Sequence, residues 1–499
     1  MNPSKTPYQE LEDRFERLAK LGQALGVLQW DMACNMPAGG AEARSAQLST
    51  LKVMGHELIT DPALADFLDA AEADRTLNPW QQANLTAMRR RRVRALAIDA
   101  DLVRRVSEAG AACEMLWRDA KAKADFKAIV PALTEVRDLV LERAEALSAA
   151  LGLDSYDALL DGFEPDARAA AIAPVFADLA AFLPGFTDDV LARQEAAGPL
   201  LALPGPFDLA AQRKLCRLMM EAVGFDFDHG RLDESHHPFC GGVPEDIRIT
   251  TRYSEDDFMP GLMGVLHETG HALYEQGLPA EWRYRPVGRA RGMVLHESQS
   301  LLVEMQACRS AEFIAFAAPR MREAFGGSGP AWEAGNIHRH YTWVERGFIR
   351  VDADEVTYPA HVILRFRLES AMLAGDLAIN DLPGAWAEGM EELLGLTPPD
   401  DALGCLQDIH WYDGAWGYFP TYTLGAMAAS QLFAAARRAR PEIPDALARG
   451  DFTPLMGWLR ENIHRKASSR STDQLLEEAT GSVLDATAFK AHLQSRYLA

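Results

Sequence analysis

His267-Glu268-Thr269-Gly270-His271 joins residue types and a spacing that carry chemistry. On a helix, positions four apart lie one turn apart on one face, so both imidazoles can converge on one metal ion at about 2.0–2.1 Å. Glu268 then stands beside the metal's water, where a carboxylate serves as general base while the metal lowers that water's pKa toward about 7. The run matches the zincin pattern H-E-x-x-H. The alternative is a buried helix carrying two hydrogen-bonded histidines.

A catalytic zinc takes three protein ligands and keeps a position open. The metzincin continuation is excluded, because Tyr274 and Gly277 occupy the positions where that pattern needs Gly and His. A glutamate from a later helix is the remaining common arrangement. Glu297, in His296-Glu297-Ser298-Gln299-Ser300, heads an apolar helix containing Leu301, Leu302, Val303 and Met305 and is the best candidate. Glu275 is one turn past His271, too far along the same axis to share the ion, and Glu304 lies two turns past Glu297. Both read as outer partners of the site or as solvated groups. His237 and Cys240 are near each other, but no second pair completes a structural zinc site. His338 and His340 point to different sides of a helix and read as surface residues.

Helices must position such a site. Around the motif, Pro260 near the start, Leu262, Met263, Val265, Leu266 and Leu273 within, and Gly277 then Pro279 beyond describe one capped, mostly buried helix. The chain opens the same way: Thr6-Pro7-Tyr8-Gln9 offers a cap, a first-turn proline and a capping-box glutamine, followed by Leu11, Phe15, Leu18, Leu21, Leu25 and Leu28 at helical spacing. Comparable stretches recur to 472–496, so the fold is expected to be mainly α. The best strand candidate is 246–253, where β-favouring and polar residues alternate after a turn at 241–244, which implies a small sheet. Gly198, Pro199, Pro204, Gly205 and Pro206 punctuate 196–207, a linker that offers a boundary between two helical lobes within one domain of 1–499.

Of 499 residues, 48% are hydrophobic and 24% charged, a globular composition that excludes disorder and low-complexity chains. The net charge of −22 repels a nucleic-acid backbone, so no nucleic-acid partner is expected. The one basic run, Arg89 to Arg92, reads as a solvated helix face. Six widely spaced cysteines, the lack of a signal-peptide pattern and the lack of an 18-residue uninterrupted apolar run point to a cytoplasmic protein with no membrane partner.

These residues resemble a known family, the carboxypeptidase Taq metallocarboxypeptidases. Beyond the motif, the likeness rests on His237-Pro238-Phe239, Asp246-Ile247-Arg248-Ile249-Thr250, the 296–299 block, Ile349-Arg350-Val351-Asp352-Ala353-Asp354 and Gly404-Cys405-Leu406-Gln407-Asp408-Ile409-His410-Trp411. The regions of Trp30-Asp31 and Gly417-Tyr418-Phe419-Pro420-Thr421-Tyr422 extend it to essentially the whole chain. The resemblance implies a helical saddle similar to neurolysin, with a deep central groove and usually a homodimer. It also implies removal of single C-terminal residues from peptides, using zinc, with cobalt able to substitute. The ligand and base positions carry over to His267, His271, Glu297 and Glu268.

Within those blocks, further roles can be assigned. An exopeptidase must hold a terminal carboxylate, and the planar fork of an arginine suits it; Arg350 is favoured over Arg248. Each can instead pair with a nearby acid such as Asp354 or Asp246. In similar enzymes a histidine followed by tyrosines stabilises the oxyanion, which points to His410 with Tyr418 or Tyr422. Trp411, Trp416 and Phe419 read as packing residues. An endopeptidase with the same chemistry, and a catalytically silent metal-binding scaffold, are the competing readings.

Overall fold

The computed structural model describes residues 5–236 and 238–499, so His237 lies outside the described residues. The chain begins with helix Pro7–Cys34, started by the expected capping box: Thr6 accepts from the Gln9 N–H and the Gln9 side chain accepts from the Thr6 N–H. Its apolar face, Tyr8, Leu11, Phe15 and Leu18, packs with Leu64, Leu68, Leu85 and Met88 into a small core of N-terminal helices. Asn78 and Gln81 repeat the capping box at helix Pro79–Ala97.

The main core is one cluster reaching from Cys113 to Tyr497. It continues across 196–207: Phe207 is buried, with its ring 5.0 Å from Phe258 and 5.2 Å from Phe325. Helix Ala169–Ala197 is long and apolar enough by composition to cross a membrane, yet Ile172, Phe176, Leu179, Leu183, Phe186 and Val190 are buried in this core.

Three strands form the sheet: β1 (Gly230–Glu234), β2 (Phe239–Val243) and β3 (Asp246–Thr251), in the order β1-β3-β2. β1 runs parallel to β3 and β2 antiparallel, with Cys240 opposite Ile249 and Gly241 opposite Arg248. The expected strand is thus present but ends at Thr251. The expected turn at 241–244 is corrected, because Gly241, Gly242 and Val243 belong to β2 and only Pro244 and Glu245 connect the strands. Two glycines read as a turn; here Gly242 lets backbone come close, since a Cβ on it would strike the Asp246 carbonyl. On β3, Ile247 and Ile249 are buried in the main core, which also holds the motif helix, Met259–Gln276.

The motif helix is crossed by Met293–Leu301, which continues as a π-helical segment, Leu302–Cys308. Gly270 permits the crossing, since a Cβ there would lie 2.5 Å from the Gln299 carbonyl oxygen and 2.6 Å from the Ser300 Cα. Helix Pro420–Ala439 lies against Met293–Leu301 from the other side, and helix Tyr358–Ala374 packs on Pro420–Ala439 in turn. In the π-helical segment a widened turn leaves carbonyls without their usual donors. Arg496 donates to the carbonyls of Met305 (2.5 Å) and Gln306 (3.2 Å), and to the buried Glu355 carboxylate (3.0 Å).

Candidate active site

His267 and His271 lie one turn apart, with ring centroids 5.0 Å apart. His267 Nδ1 donates to Glu304 at 2.9 Å and His271 Nδ1 donates to the His296 carbonyl at 3.0 Å. With both Nδ1 atoms acting as donors, each Nε2 carries the free lone pair, and both face Glu297 at 3.8 and 3.6 Å. The three ligand atoms lie within 4.8 Å of one another, too far apart for hydrogen bonds and suitably spaced around an ion. This donor set fits a catalytic divalent metal.

Around these three, the neighbours hold each ligand in position. Glu304 also accepts from Arg309 at 2.5 Å, so it stays ionised and available to His267. Glu275 meets His296 Nε2 at 3.2 Å, and the His296 ring stacks on His271 at 4.5 Å. Both acids are therefore outer partners. Gly425 sets the position of Glu297: a Cβ there would sit 2.7 Å from the Glu297 Cβ and 2.8 Å from its Cγ. Glu268 is buried on the motif helix, and burial pushes its carboxyl up to about 7.

A second group borders Glu297. Arg350, Tyr358, Tyr418 and Tyr422 each feel its charge or act on it. The Tyr418 and Tyr422 rings are 5.1 Å apart, and His410 stacks on Tyr418 at 5.9 Å. Burial holds His410 down to about 4, opposed by Asp408 and reinforced by Arg350 and Arg365, so its imidazole is neutral at pH 7.

The two arginine assignments fare differently. Arg350 is buried and pairs with Asp408, not Asp354, through Nε (3.1 Å) and Nη2 (2.8 Å), while Nη1 donates to the Tyr358 hydroxyl at 2.8 Å. Asp354 accepts from the backbone N–H groups of Glu345, Val356 and Thr357 instead. Arg365 shares Asp408 at 2.7 Å, so two guanidinium groups face one carboxylate and one positive charge remains beside Glu297. Arg248 is not brought to the metal ligands. Its fork is closed on Asp246 at 3.0 and 2.8 Å, and it lies over the Trp30 ring at 4.3 Å.

A cleft of about 860 Å³ reaches His296, whose ring stacks on His271, and is lined also by Cys240, Gly241 and Gly242 of β2 and by arginines of helix Pro79–Ala97.

Over residues 10–497 the chain matches the family described as Carboxypeptidase Taq (M32) metallopeptidase. The chain belongs to that family. Thermostable carboxypeptidase 1 of Thermus thermophilus is 38% identical over 504 residues, covering 99% of this chain and 98% of that one. Among solved structures, Trypanosoma cruzi metallocarboxypeptidase 1 superposes with a TM-score of 0.96 at 38% identity, covering 99% of each chain. The M32 carboxypeptidase of Deinococcus radiodurans R1 does so with a TM-score of 0.93 at 37% identity, also covering 99% of each. As a carboxypeptidase of the Taq family, the protein is a metal-dependent carboxypeptidase with the family's mainly α fold and small three-stranded sheet.

Several parts of this carboxypeptidase escaped the sequence reading. Glu369 is buried in helix Tyr358–Ala374 and accepts from Trp411 Nε1 (2.6 Å), the Gly417 N–H (2.7 Å) and the Tyr156 hydroxyl (2.8 Å), which fixes the loop bearing His410 and Tyr418. The sequence signal was there: Arg365 and Glu369 stand four apart, on one face of a largely apolar helix, and buried charges persist only with partners. Trp411, Trp416 and Phe419 are buried as expected.

Proposed function

We propose that the protein is a zinc carboxypeptidase that removes single residues from peptides with a free C-terminus, using Glu268 as general base. The observation that carries this is the convergence of two Nε2 lone pairs and one carboxylate beside a buried glutamate. Two imidazoles and a carboxylate suit zinc, and cobalt accepts the same donors. Bound at His267, His271 and Glu297, the metal supplies a Lewis acid that polarises the scissile carbonyl and eases ionisation of water.

The chain's own residues do the rest. Glu268 takes a proton from the attacking water and delivers it to the leaving amine. As charge grows on the carbonyl oxygen, the neutral His410 and the hydroxyl of Tyr418 or Tyr422 donate to it. Arg350 receives the terminal carboxylate, supported by the positive charge left where Arg350 and Arg365 share Asp408. This last step distinguishes an exopeptidase from an endopeptidase. A cytoplasmic location is supported by six unpaired cysteines, and a homodimer by the family resemblance alone.

The test is mass spectrometry of a short peptide, free or amidated at its C-terminus, with and without chelator. Stepwise loss from the free end, blocked by amidation and by chelation, is expected; internal cuts indifferent to amidation would overturn the exopeptidase reading. Glu268→Gln should keep metal and fold while losing most turnover. Unchanged turnover would remove its role as base.

A further inference from the structure

The basic run Arg89 to Arg92 is not simply a solvated face. Arg89 turns outward to Asp69 and Glu72, whereas Arg90 and Arg91 line the cleft that reaches His296, the neighbour of Glu297. Arg90 and Arg94 both hold Asp161, at 2.5 and 2.9 Å, and Arg291 holds Asp166 at 2.6 Å. The remaining acid lining the cleft, Glu275, faces His296. Arg91 is left without a hydrogen bond or ion pair among the described residues; its guanidinium lies 5.8 Å from the Phe15 ring centroid. Burial draws its pKa down to about 10, and the positive charge of Arg289 across the cleft adds to that. Arg289 is exposed and also makes no ion pair among the described residues.

Two guanidinium groups without an acidic partner line this one cavity and repel each other, in a chain of net charge −22 where acids are plentiful. The cavity they line also contains His296, which stacks on His271, and the side-chain-free backbone of Gly241 and Gly242 on the edge strand β2. A planar fork left open in such a site matches a carboxylate. The Arg350 group already stands at Glu297 for the terminal carboxylate, so the second cationic site answers to another part of the peptide.

We propose that Arg91 and Arg289 form a carboxylate-binding subsite that takes a Glu or Asp side chain of the peptide upstream of the bond being cut. This rests on the carboxypeptidase reading above. The same chemistry could come from the peptide's own terminal carboxylate, and amidation separates the two sources.

The experiment measures calorimetric binding of C-terminally amidated hexapeptides to the metal-loaded protein, with one Glu moved from the second to the fifth residue from the C-terminus, each against its Gln counterpart. At one position or more, the Glu peptide should bind about tenfold tighter, the lower range for a hydrogen bond to a charged group. Arg91→Gln and Arg289→Gln should each erase that difference and leave binding of the Gln peptides unchanged; Arg91→Lys should restore part of it. Arg289 is exposed, so its variant serves even if Arg91→Gln fails to fold. Equal binding of Glu and Gln peptides to the wild type at every position would overturn the subsite, as would equal loss of both in the Arg289 variant. Cleavage of the amidated peptides would instead refute the exopeptidase reading, while the Glu/Gln comparison would still report on the subsite.

Discussion

Gly425→Ala tests whether helix Pro420–Ala439 positions the third metal ligand. A Cβ at this position would sit 2.7 and 2.8 Å from the Glu297 Cβ and Cγ and 3.4 Å from the Ser298 nitrogen. Carbon atoms in contact prefer about 3.5–4.0 Å, so the helices must part or the glutamate must swing by about 1 Å. Alanine favours a helix by about 0.8–1.0 kcal/mol over glycine, while overpacking costs about 1–3 kcal/mol. Stability should therefore fall by no more than about 2 kcal/mol. The site is far more sensitive, because a misplacement of about 1 Å can lower turnover about a hundredfold. Gly457→Ala, in helix Thr453–Asn462 with nothing within 4 Å, is the matched control and should stabilise by up to about 1 kcal/mol. The assay combines thermal midpoints, metal affinity by chelator competition, and kcat/KM on a free-terminus peptide. If Gly425→Ala keeps both wild-type metal affinity and kcat/KM, the argument that this contact fixes Glu297 is refuted.

Glu304→Gln removes the charge that holds His267 Nδ1 and should weaken metal binding about ten- to a hundredfold by chelator competition; unchanged affinity would make the contact incidental. In Glu369→Gln an amide N–H₂ must face Trp411 Nε1 or the Gly417 N–H, donor against donor, so kcat should fall about tenfold with metal content unchanged. An unaltered kcat would show that the loop holds its shape without the carboxylate. His361 and His464 are buried and held down to about 3, so below pH 6.5 the unfolded chain takes up protons that the folded chain refuses. Each should lower stability by about 2 kcal/mol at pH 5, fully regained above pH 6.5. Burial raises Glu164 and Glu369 to about 7, which opposes this trend, so the measurement is a comparison of wild type with His464→Asn. The variant should lose less stability between pH 7 and 5; an identical pH dependence would exclude the histidine.

The grouping of His267, His271 and Glu297 was legible because the motif is local: a spacing of four on a capped helix fixes two imidazoles, and Glu297 heads the next apolar helix with suitable chemistry. The pairing of Arg350 was not, since Asp408 reaches it through tertiary approach, and a sequence offers only neighbours such as Asp354. β2 was hidden for a different reason. Its two glycines have turn propensity, and only the register against β3 makes them strand. The run at Arg89 to Arg92 looked uniform, yet a helix turns consecutive residues about 100° apart, so Arg89 meets surface acids while Arg90 and Arg91 meet a cavity.

The π-helical segment between Glu297 and Arg309 also bears on when this enzyme can become active as it is made. Synthesis proceeds from the N-terminus at about 5–20 residues per second, and elements dock as their partners emerge. The two histidines and Glu297 leave the ribosome before Gly425, and Arg496, which closes the carbonyls of Met305 and Gln306, comes later still. A nascent chain thus carries the metal-binding residues long before it carries the groups that hold them in register. Tight metal loading, and with it carboxypeptidase activity, is expected only once the segment from Gly425 to Arg496 has emerged.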